Sequence, residues 1–90
     1  MARISYFGHL RLKAGVKSEE VASEETDVGD LLERSCKERG IEKEVFGQVD
    51  GTGGGVNILL NGRNIKFLQG LRTPVGDGDK IALFPPTGGG

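Results

Sequence analysis

Five short stretches of the chain combine apolar residues with turn signals at their ends, and this pattern predicts β-strands. In the first stretch, residues 3–7, Ile4 and Tyr6 point to one face while Arg3, Ser5 and Phe7 point to the other. The remaining predicted strands span residues 20–23, 56–60, 64–67 and 80–84. We expect the first two strands to form a hairpin, with residues 8–18 as an irregular connection between them.

One helix is predicted between the second and third strands. Asp27 is a good N-cap, and Asp30 places a carboxylate in the first turn, where it suits the helix dipole. Gly40 fits a left-handed C-terminal cap. The apolar face consists of Val28, Leu31, Leu32 and Cys36. Because one helix then packs against one sheet, the pattern predicts a two-layer α+β domain.

The remaining segments carry turn and loop signals. Asn61-Gly62 is a strong hairpin signal, because both residues tolerate positive φ, and residues 76–79 predict a tight turn. Residues 51–55 predict a mobile glycine-rich loop, and residues 70–75 have no regular pattern. Pro85 and Pro86 end all regular structure, so we divide the chain into a domain, residues 1–84, and a flexible C-terminal tail, residues 85–90.

Size and charge narrow the classes of function. Ninety residues with a net charge of −1 form one small domain without room for a deep cavity, so we expect a carrier or binding module and not an enzyme. No basic block predicts nucleic-acid binding, and no apolar run or leader predicts membrane insertion or export. The single cysteine, Cys36, is typical of a protein from the reducing cytoplasm.

The C-terminal tail is the candidate reactive segment. The two prolines direct the chain away from the domain, and Gly88 and Gly89 lack side chains, so the tail can thread a narrow channel up to the carboxylate of Gly90. A carboxylate becomes an acyl donor once it is adenylated, after which it can accept sulfur or pass to a thiol or an amine. The chain has no phosphate-binding loop of its own, so a separate ATP-using enzyme would have to activate it.

Two phenylalanines are candidates for a partner interface at the root of the tail. Phe7 shares its strand face with Arg3 and Ser5, and Phe84 lies opposite to the face formed by Ile81 and Leu83. If the first and last strands are neighbours, Phe7 and Phe84 meet on the solvent side. A contiguous exposed apolar patch usually marks an interaction site, although single surface phenylalanines are common.

Three motifs in this order resemble the β-grasp sulfur carriers of the MoaD/ThiS group. Residues 4–7 with Leu10-Arg11 resemble the opening strand of the group, residues 60–65 its central hairpin, and residues 77–86 its ending before the terminal Gly89-Gly90. Within that group the chain most resembles MoaD, the small subunit of molybdopterin synthase, and the small archaeal modifier proteins. It departs from the pattern in the longer 51–55 loop and in Gly88, where a larger residue is usual.

The resemblance implies a ubiquitin-like β-grasp fold, a mixed sheet of four to five strands with the first and last strands parallel and adjacent. It implies that Phe7, Phe84, Pro85 and Pro86 dock partners, and that an adenylating enzyme activates Gly90 with ATP for conversion to a thiocarboxylate. The sulfur would pass to a molybdopterin precursor on the large subunit of the synthase, or less commonly serve thiamin synthesis or tRNA thiolation. No permanently bound cofactor and no metal are expected.

Two other functions stay open. The same activated Gly90 could be joined to lysines of target proteins, which would make the chain a protein modifier, or the tail could be inert and the domain a plain interaction module. Among other chemically notable residues, we interpret Cys36 as a core thiol, His9 as a loop residue, and Asp77 and Asp79 as turn residues. Arg11 and Arg63 are interpreted as solvated surface residues by default.

Overall fold

The computed structural model describes residues 1–46 and 56–85. In chain order the strands are β1 (Ala2–Tyr6), β2 (Ser18–Val21), β3 (Thr26–Asp27), β4 (Asn57–Leu60), β5 (Arg63–Asn64), β6 (Pro74–Val75) and β7 (Lys80–Phe84). The α-helices are α1 (His9–Ala14), α2 (Val28–Arg39) and α3 (Glu42–Phe46), and two 3-10 turns cover Ile65–Phe67 and Gly70–Arg72.

A mixed five-stranded sheet forms one layer, with strand order β2-β1-β7-β4-β5. The first and last strands of the chain, β1 and β7, are parallel neighbours, while β1–β2, β7–β4 and β4–β5 are antiparallel. β3 and β6 form a separate two-stranded sheet. The central position of the parallel β1–β7 pair is the arrangement that the β-grasp resemblance implies, and the α+β prediction is confirmed.

The core lies between this sheet and α2. Alternate residues of β1 and β7 point inward, and Ile4, Tyr6, Ile81 and Leu83 are fully buried, as their spacing predicts. α2 contributes Val28, Leu31, Leu32 and Cys36 to the same cluster. Both predicted helix caps are confirmed: the Asp27 side chain accepts a hydrogen bond from the Asp30 N–H, and Gly40 has a φ of 70°.

Several predicted boundaries are wrong. β1 and β2 pair as the predicted hairpin, but the connection between them contains α1, so His9 lies on a helix and not in a loop. β2 lies two residues earlier than predicted. The return strand after Asn61-Gly62 stops at Asn64, whose side chain accepts a hydrogen bond from the Lys66 N–H and caps a 3-10 turn. Residues 42–46 and 70–75 also contain short regular elements.

Candidate functional site

The C-terminal ends of β1 and β7 lie side by side at the root of the tail. Tyr6 is paired with Leu83, and the Phe7 N–H donates to the Leu83 carbonyl at 3.1 Å, which extends the parallel pairing by one residue beyond β1. Phe7 directly follows β1, and Phe84 is the last residue of β7. The pairing of the backbone therefore determines that these two aromatic side chains are neighbours.

The Phe7 and Phe84 rings are stacked, with centroids 4.3 Å apart and planes 9° from parallel. The Phe84 residue remains 37% exposed, although it is paired with Asn57 of β4, and Phe7 is half-buried. Aromatic pairs of this kind contribute about 0.5–1.5 kcal/mol beyond the area they bury. The predicted meeting of Phe7 and Phe84 is confirmed, and we call Phe7, Phe84 and Pro85 the tail-root surface.

Arg11 borders this surface and is not the freely solvated arginine of our default interpretation. Its guanidinium carbon lies 5.1 Å from the centroid of the Phe7 ring, within the range of a cation–π contact. Its Nε donates to the Tyr6 carbonyl at 2.7 Å, and no described residue accepts a hydrogen bond from its terminal Nη groups. A fixed positive charge therefore stands at the edge of the aromatic pair. The spacing of four residues between Phe7 and Arg11 was the available sequence signal.

Gly8 lies against Pro85, and sequence reasoning did not identify it. A Cβ atom built on Gly8 would lie 2.7 Å from Cγ of the Pro85 ring, closer than real Cβ contacts allow, and 3.4 Å from its Cδ. Gly8 also has φ 59° and ψ −141°, a combination that other residues avoid. The available signal was a glycine directly after a strand that neighbours the strand leading into the prolines.

A partly buried hydrogen-bond network connects α1 to α2 and β2. Arg39 of α2 makes two hydrogen bonds to the Glu19 carboxylate, Nε to Oε2 at 2.7 Å and Nη2 to Oε1 at 2.9 Å, and its Nη1 donates to the Ala14 carbonyl at 3.0 Å. The fully buried Tyr6 donates its hydroxyl to Glu19 Oε2. α1 is thereby attached to both α2 and β2.

The groups of this network each keep one protonation state at neutral pH, which fits a structural role. The hydrogen bonds from Arg39 hold the pKa of the Glu19 carboxyl below its usual 4.5, with a smaller contribution from the Tyr6 hydroxyl. Burial raises the pKa of Tyr6, and its hydrogen bond to Glu19 raises it further. At neutral pH the network thus consists of a carboxylate, a guanidinium and a neutral phenol, none of which is poised to transfer a proton.

Cys36 and Asp79 have the structural roles that we predicted for them. Cys36 is buried in the core, and burial raises the pKa of its thiol to about 12, so it is not an accessible thiolate nucleophile. Asp79 accepts a hydrogen bond from the Gly76 N–H within the turn. Within residues 1–46 and 56–85 no group of three or more histidine, cysteine or acidic side chains could hold a metal ion. No helix in these ranges is long and apolar enough to cross a membrane.

The tail itself falls mostly outside the described residues. Pro85 is the last described residue, so the predicted roles of Pro86, Gly88, Gly89 and Gly90 stay predictions, as does the predicted loop at residues 51–55. The structure thus brings Phe7, Phe84 and Pro85 together and adds Gly8 and Arg11 to them. Gly90, the predicted reactive residue, lies outside the described residues.

Comparison with known proteins places the chain in a family. Residues 4–90 match the ThiS family, which covers nearly the whole chain. The fold superimposes on small archaeal modifier protein 1 from Methanosarcina acetivorans with a TM-score of 0.83 and 31% identity, covering 99% of this chain and 95% of that one. It superimposes on a putative molybdopterin converting factor subunit 1 from Pyrococcus furiosus with a TM-score of 0.74 and 32% identity, covering 96% and 97% of the two chains.

Curated relatives match over a shorter stretch. Small archaeal modifier protein 3 from Haloferax volcanii is 49% identical over 35 residues, which are 39% of this chain and 38% of that protein. A putative sulfur carrier protein from Archaeoglobus fulgidus is 40% identical over 35 residues, 39% of this chain and 40% of that protein. The matched stretch spans well under half of each of these two relatives. On the family match and the shared fold, the chain belongs to the ThiS family, the β-grasp proteins that serve as sulfur carriers or ubiquitin-like modifiers.

Proposed function

We propose that this protein carries sulfur as a thiocarboxylate on its C-terminal residue, Gly90. The observation that carries the proposal is the stacked, partly exposed Phe7–Phe84 pair at the root of a tail that ends in glycines. An aromatic surface of this kind suits docking onto a partner protein, and a side-chain-free tail suits insertion into that partner's active site. Membership of the ThiS family supports the same reading.

The chemistry takes place in two steps on the partner enzyme. The Gly90 carboxylate attacks the α-phosphorus of ATP, which releases pyrophosphate and forms an acyl-adenylate. A sulfide-level sulfur donor then attacks the acyl carbon and displaces AMP, which leaves a thiocarboxylate on Gly90. This protein supplies the carboxylate and the docking surface, while the adenylating enzyme binds the nucleotide. Because the cycle requires ATP and a free carrier, we assign it to the cytoplasm.

Molybdopterin synthesis is the pathway that we favour for the sulfur. The support is the similarity over nearly the full length to the Pyrococcus furiosus protein named as a putative molybdopterin converting factor subunit. In that role the second partner is the large subunit of molybdopterin synthase, which would dock on the same tail-root surface. The thiocarboxylate sulfur would then be transferred to a molybdopterin precursor, and the carboxylate of Gly90 regenerated.

A second candidate function uses the same activated tail. Relatives from Methanosarcina acetivorans and Haloferax volcanii are named small archaeal modifier proteins. In this alternative a lysine amine of a target protein attacks the acyl-adenylate, or a thioester formed from it, and an isopeptide bond joins Gly90 to the target. The two functions share the adenylating enzyme and differ in the nucleophile that receives the acyl group.

Intact-protein mass measurement tests the carrier function. After incubation with its adenylating enzyme, ATP and sulfide, the protein should gain the mass of one oxygen exchanged for sulfur, and deletion of Gly90 should abolish the gain. Cys36→Ala is the matched control, because it removes the only thiol that could hold a persulfide and should leave the gain unchanged. A gain that requires Cys36, or no gain at all, would sink the proposal.

The modifier alternative has its own readout in cells. A tagged copy of the protein should appear in heavier conjugates that disappear when Gly90 is deleted. Peptides from these conjugates should carry the C-terminal glycines on lysine side chains. The modifier function would be favoured over the carrier function by two results together. Conjugates would form in cells with the tagged copy, and a strain that lacks the protein would still make a normal yield of molybdopterin.

A further inference from the structure

Gly8 and the Pro85 ring approach each other closely at the root of the tail. The absent side chain of Gly8 leaves the space that Cγ of the Pro85 ring approaches, 2.7 Å from where a Cβ would stand. Gly15, at the other end of α1, also has a positive φ of 85°, yet a Cβ there would meet nothing within 4 Å. Glycine at position 8 therefore allows the close approach of Pro85 as well as the positive φ.

Gly8 and Pro85 are neighbours one position beyond the Phe7–Phe84 stack. Each comes one residue after a member of the stacked pair, so the parallel strands bring them together as they bring the phenylalanines together. The Pro85 ring fixes φ of that residue near −65°, so a neighbour that restrains the ring also restrains the backbone at the start of the tail. A residue that holds this ring therefore acts on the direction in which the tail starts.

Gly8 has a rigid support. It is the N-cap residue of α1, whose Leu10 and Ala14 side chains are buried in the core. The Ala14 carbonyl at the other end of α1 accepts a hydrogen bond from Arg39, which is itself held by Glu19. The surface that meets Pro85 thus belongs to a helix anchored at both ends, and it does not shift independently of the domain.

We propose that Gly8 is a positioning residue that sets the direction of the tail by holding the Pro85 ring, and so governs how the Gly90 carboxylate reaches the partner's nucleotide. This inference rests on the proposed function. A different direction at the root changes the range of positions that the tip of a short tail can reach. Misplacement of a reacting group by about 1 Å can cost on the order of a hundredfold in rate.

The kinetic test separates positioning from docking. We expect Gly8→Ala to lower kcat for Gly90 adenylation by about tenfold, since misplacement acts on the reacting group. The Kd for the adenylating enzyme should change little, because Phe7 and Phe84 remain. Gly15→Ala is the matched control, since it places the same side chain at a positive-φ glycine of α1 without a neighbour, and should leave kcat unchanged. An unchanged kcat for Gly8→Ala would overturn the proposal.

A double-mutant cycle tests whether the effect passes through Pro85. If Gly8 acts by holding the ring, Pro85→Ala also lowers kcat, and the double variant is no slower than the slower single variant. Losses that multiply would show two independent effects and overturn the proposal. If Gly8→Ala does not fold, Pro85→Ala alone decides: a lower kcat at saturating concentrations of the protein supports the proposal, and an unchanged kcat contradicts it.

A measurement on the isolated protein keeps this inference distinct from the proposed function. A nuclear Overhauser contact between Gly8 Hα and the Pro85 ring should be present in the wild type and in Gly15→Ala, and lost in Pro85→Ala. If this contact is absent from the wild type, the positioning role is wrong even if Gly90 is adenylated. If the contact is present but the wild type is never adenylated, the proposed function fails, and the positioning role falls with it.

Discussion

The two ends of the parallel β1–β7 pair are built in opposite ways. At the N-terminal end, which we call the turn end, the amine of Met1 is paired with Asp77, and the Asn61 side chain bridges Asp79 and the backbone of Lys80. At the C-terminal end the tail-root surface leaves a stacked aromatic pair partly exposed. The polar groups of the turn end find partners within the chain, whereas the tail-root surface leaves aromatic area exposed within the described residues.

This difference separates stability from recognition. The hydrogen bonds of the Asn61 side chain join the β4–β5 turn to Asp79 and Lys80, so changes to Asn61 should act on folding. Phe7 and Phe84 lie outside the core cluster, so changes to them should lower the affinity for the partner protein. The same two strands therefore carry two kinds of residue, and each kind can be altered without the other.

The largest expected effect comes from removing the aromatic pair. Phe84→Ala should weaken binding to the adenylating enzyme by about thirtyfold, the effect of losing an interface hot spot of about 2 kcal/mol. The free energy of unfolding should fall by less than the roughly 3–5 kcal/mol that truncation of a fully buried phenylalanine costs, because Phe84 is partly exposed. Calorimetric titration and chemical denaturation measure the two quantities.

Phe67→Ala is the matched control for this prediction. Phe67 is 83% exposed and lies outside the tail-root surface, on the 3-10 turn after β5. Its loss should leave the affinity unchanged within about twofold, since an exposed apolar residue away from an interface contributes little to binding. Equal losses of affinity from Phe84→Ala and Phe67→Ala would remove the distinction between a docking surface and scattered surface phenylalanines.

The opposite end of the sheet should give the converse result. Asn61 has a φ of 51°, its Oδ1 accepts from the Lys80 N–H at 2.9 Å, and its Nδ2 donates to Asp79 at 3.1 Å. Asn61→Ala should cost about 2 kcal/mol of unfolding free energy, from the lost hydrogen bonds and the disfavoured backbone conformation. Affinity for the adenylating enzyme should not change.

Asn61→Gly divides that cost into its two parts. Glycine adopts the positive φ without strain but cannot make the side-chain hydrogen bonds, so about half of the loss should be recovered. A loss of partner affinity in either Asn61 variant, comparable with that of Phe84→Ala, would show that the two ends of the sheet do not act separately.

The sequence identified the parts of this fold that local rules determine. α2 was predicted with both caps, because Asp27 and Gly40 each satisfy a specific backbone need at a helix end. The meeting of Phe7 and Phe84 followed from the period of two, once the first and last strands were taken as neighbours. Both predictions depend on few residues and on geometry that tertiary contacts do not override.

The misses came from elements that tertiary contacts determine. α1 has only six residues and no side-chain N-cap, so no sequence signal marks it, and the buried Leu10 and Ala14 together with Arg39 hold it in place. β3 and β6 are two residues each and are accompanied by a hydrogen bond from the Val28 N–H to the Thr73 carbonyl. Gly8 was overlooked for the same reason, because its role appears only when α1 and Pro85 are in place.

The smallest expected effect lies in the network that holds α1 behind the tail-root surface. The folded-state pKa of Glu19 is below its usual 4.5, so between the two pKa values the unfolded chain binds more protons than the native protein. The stability from this carboxylate is therefore complete above about pH 4.5 and is lost as pH falls through the folded-state pKa. Glu19→Gln cannot titrate, and it should lower the unfolding free energy at pH 7 by about 1 kcal/mol.

The two unfolding curves should accordingly converge as the pH falls, since the wild type loses at acid pH the advantage that Glu19→Gln never had. Asp77→Asn is the control, because the pKa of Asp77 is also lowered, by the Met1 amine, but that pair is exposed to solvent. Exposed ion pairs add little to stability, so Asp77→Asn should follow the wild-type curve. A constant gap between Glu19→Gln and the wild type at all pH values would mean that the Glu19 charge does not stabilise the attachment of α1.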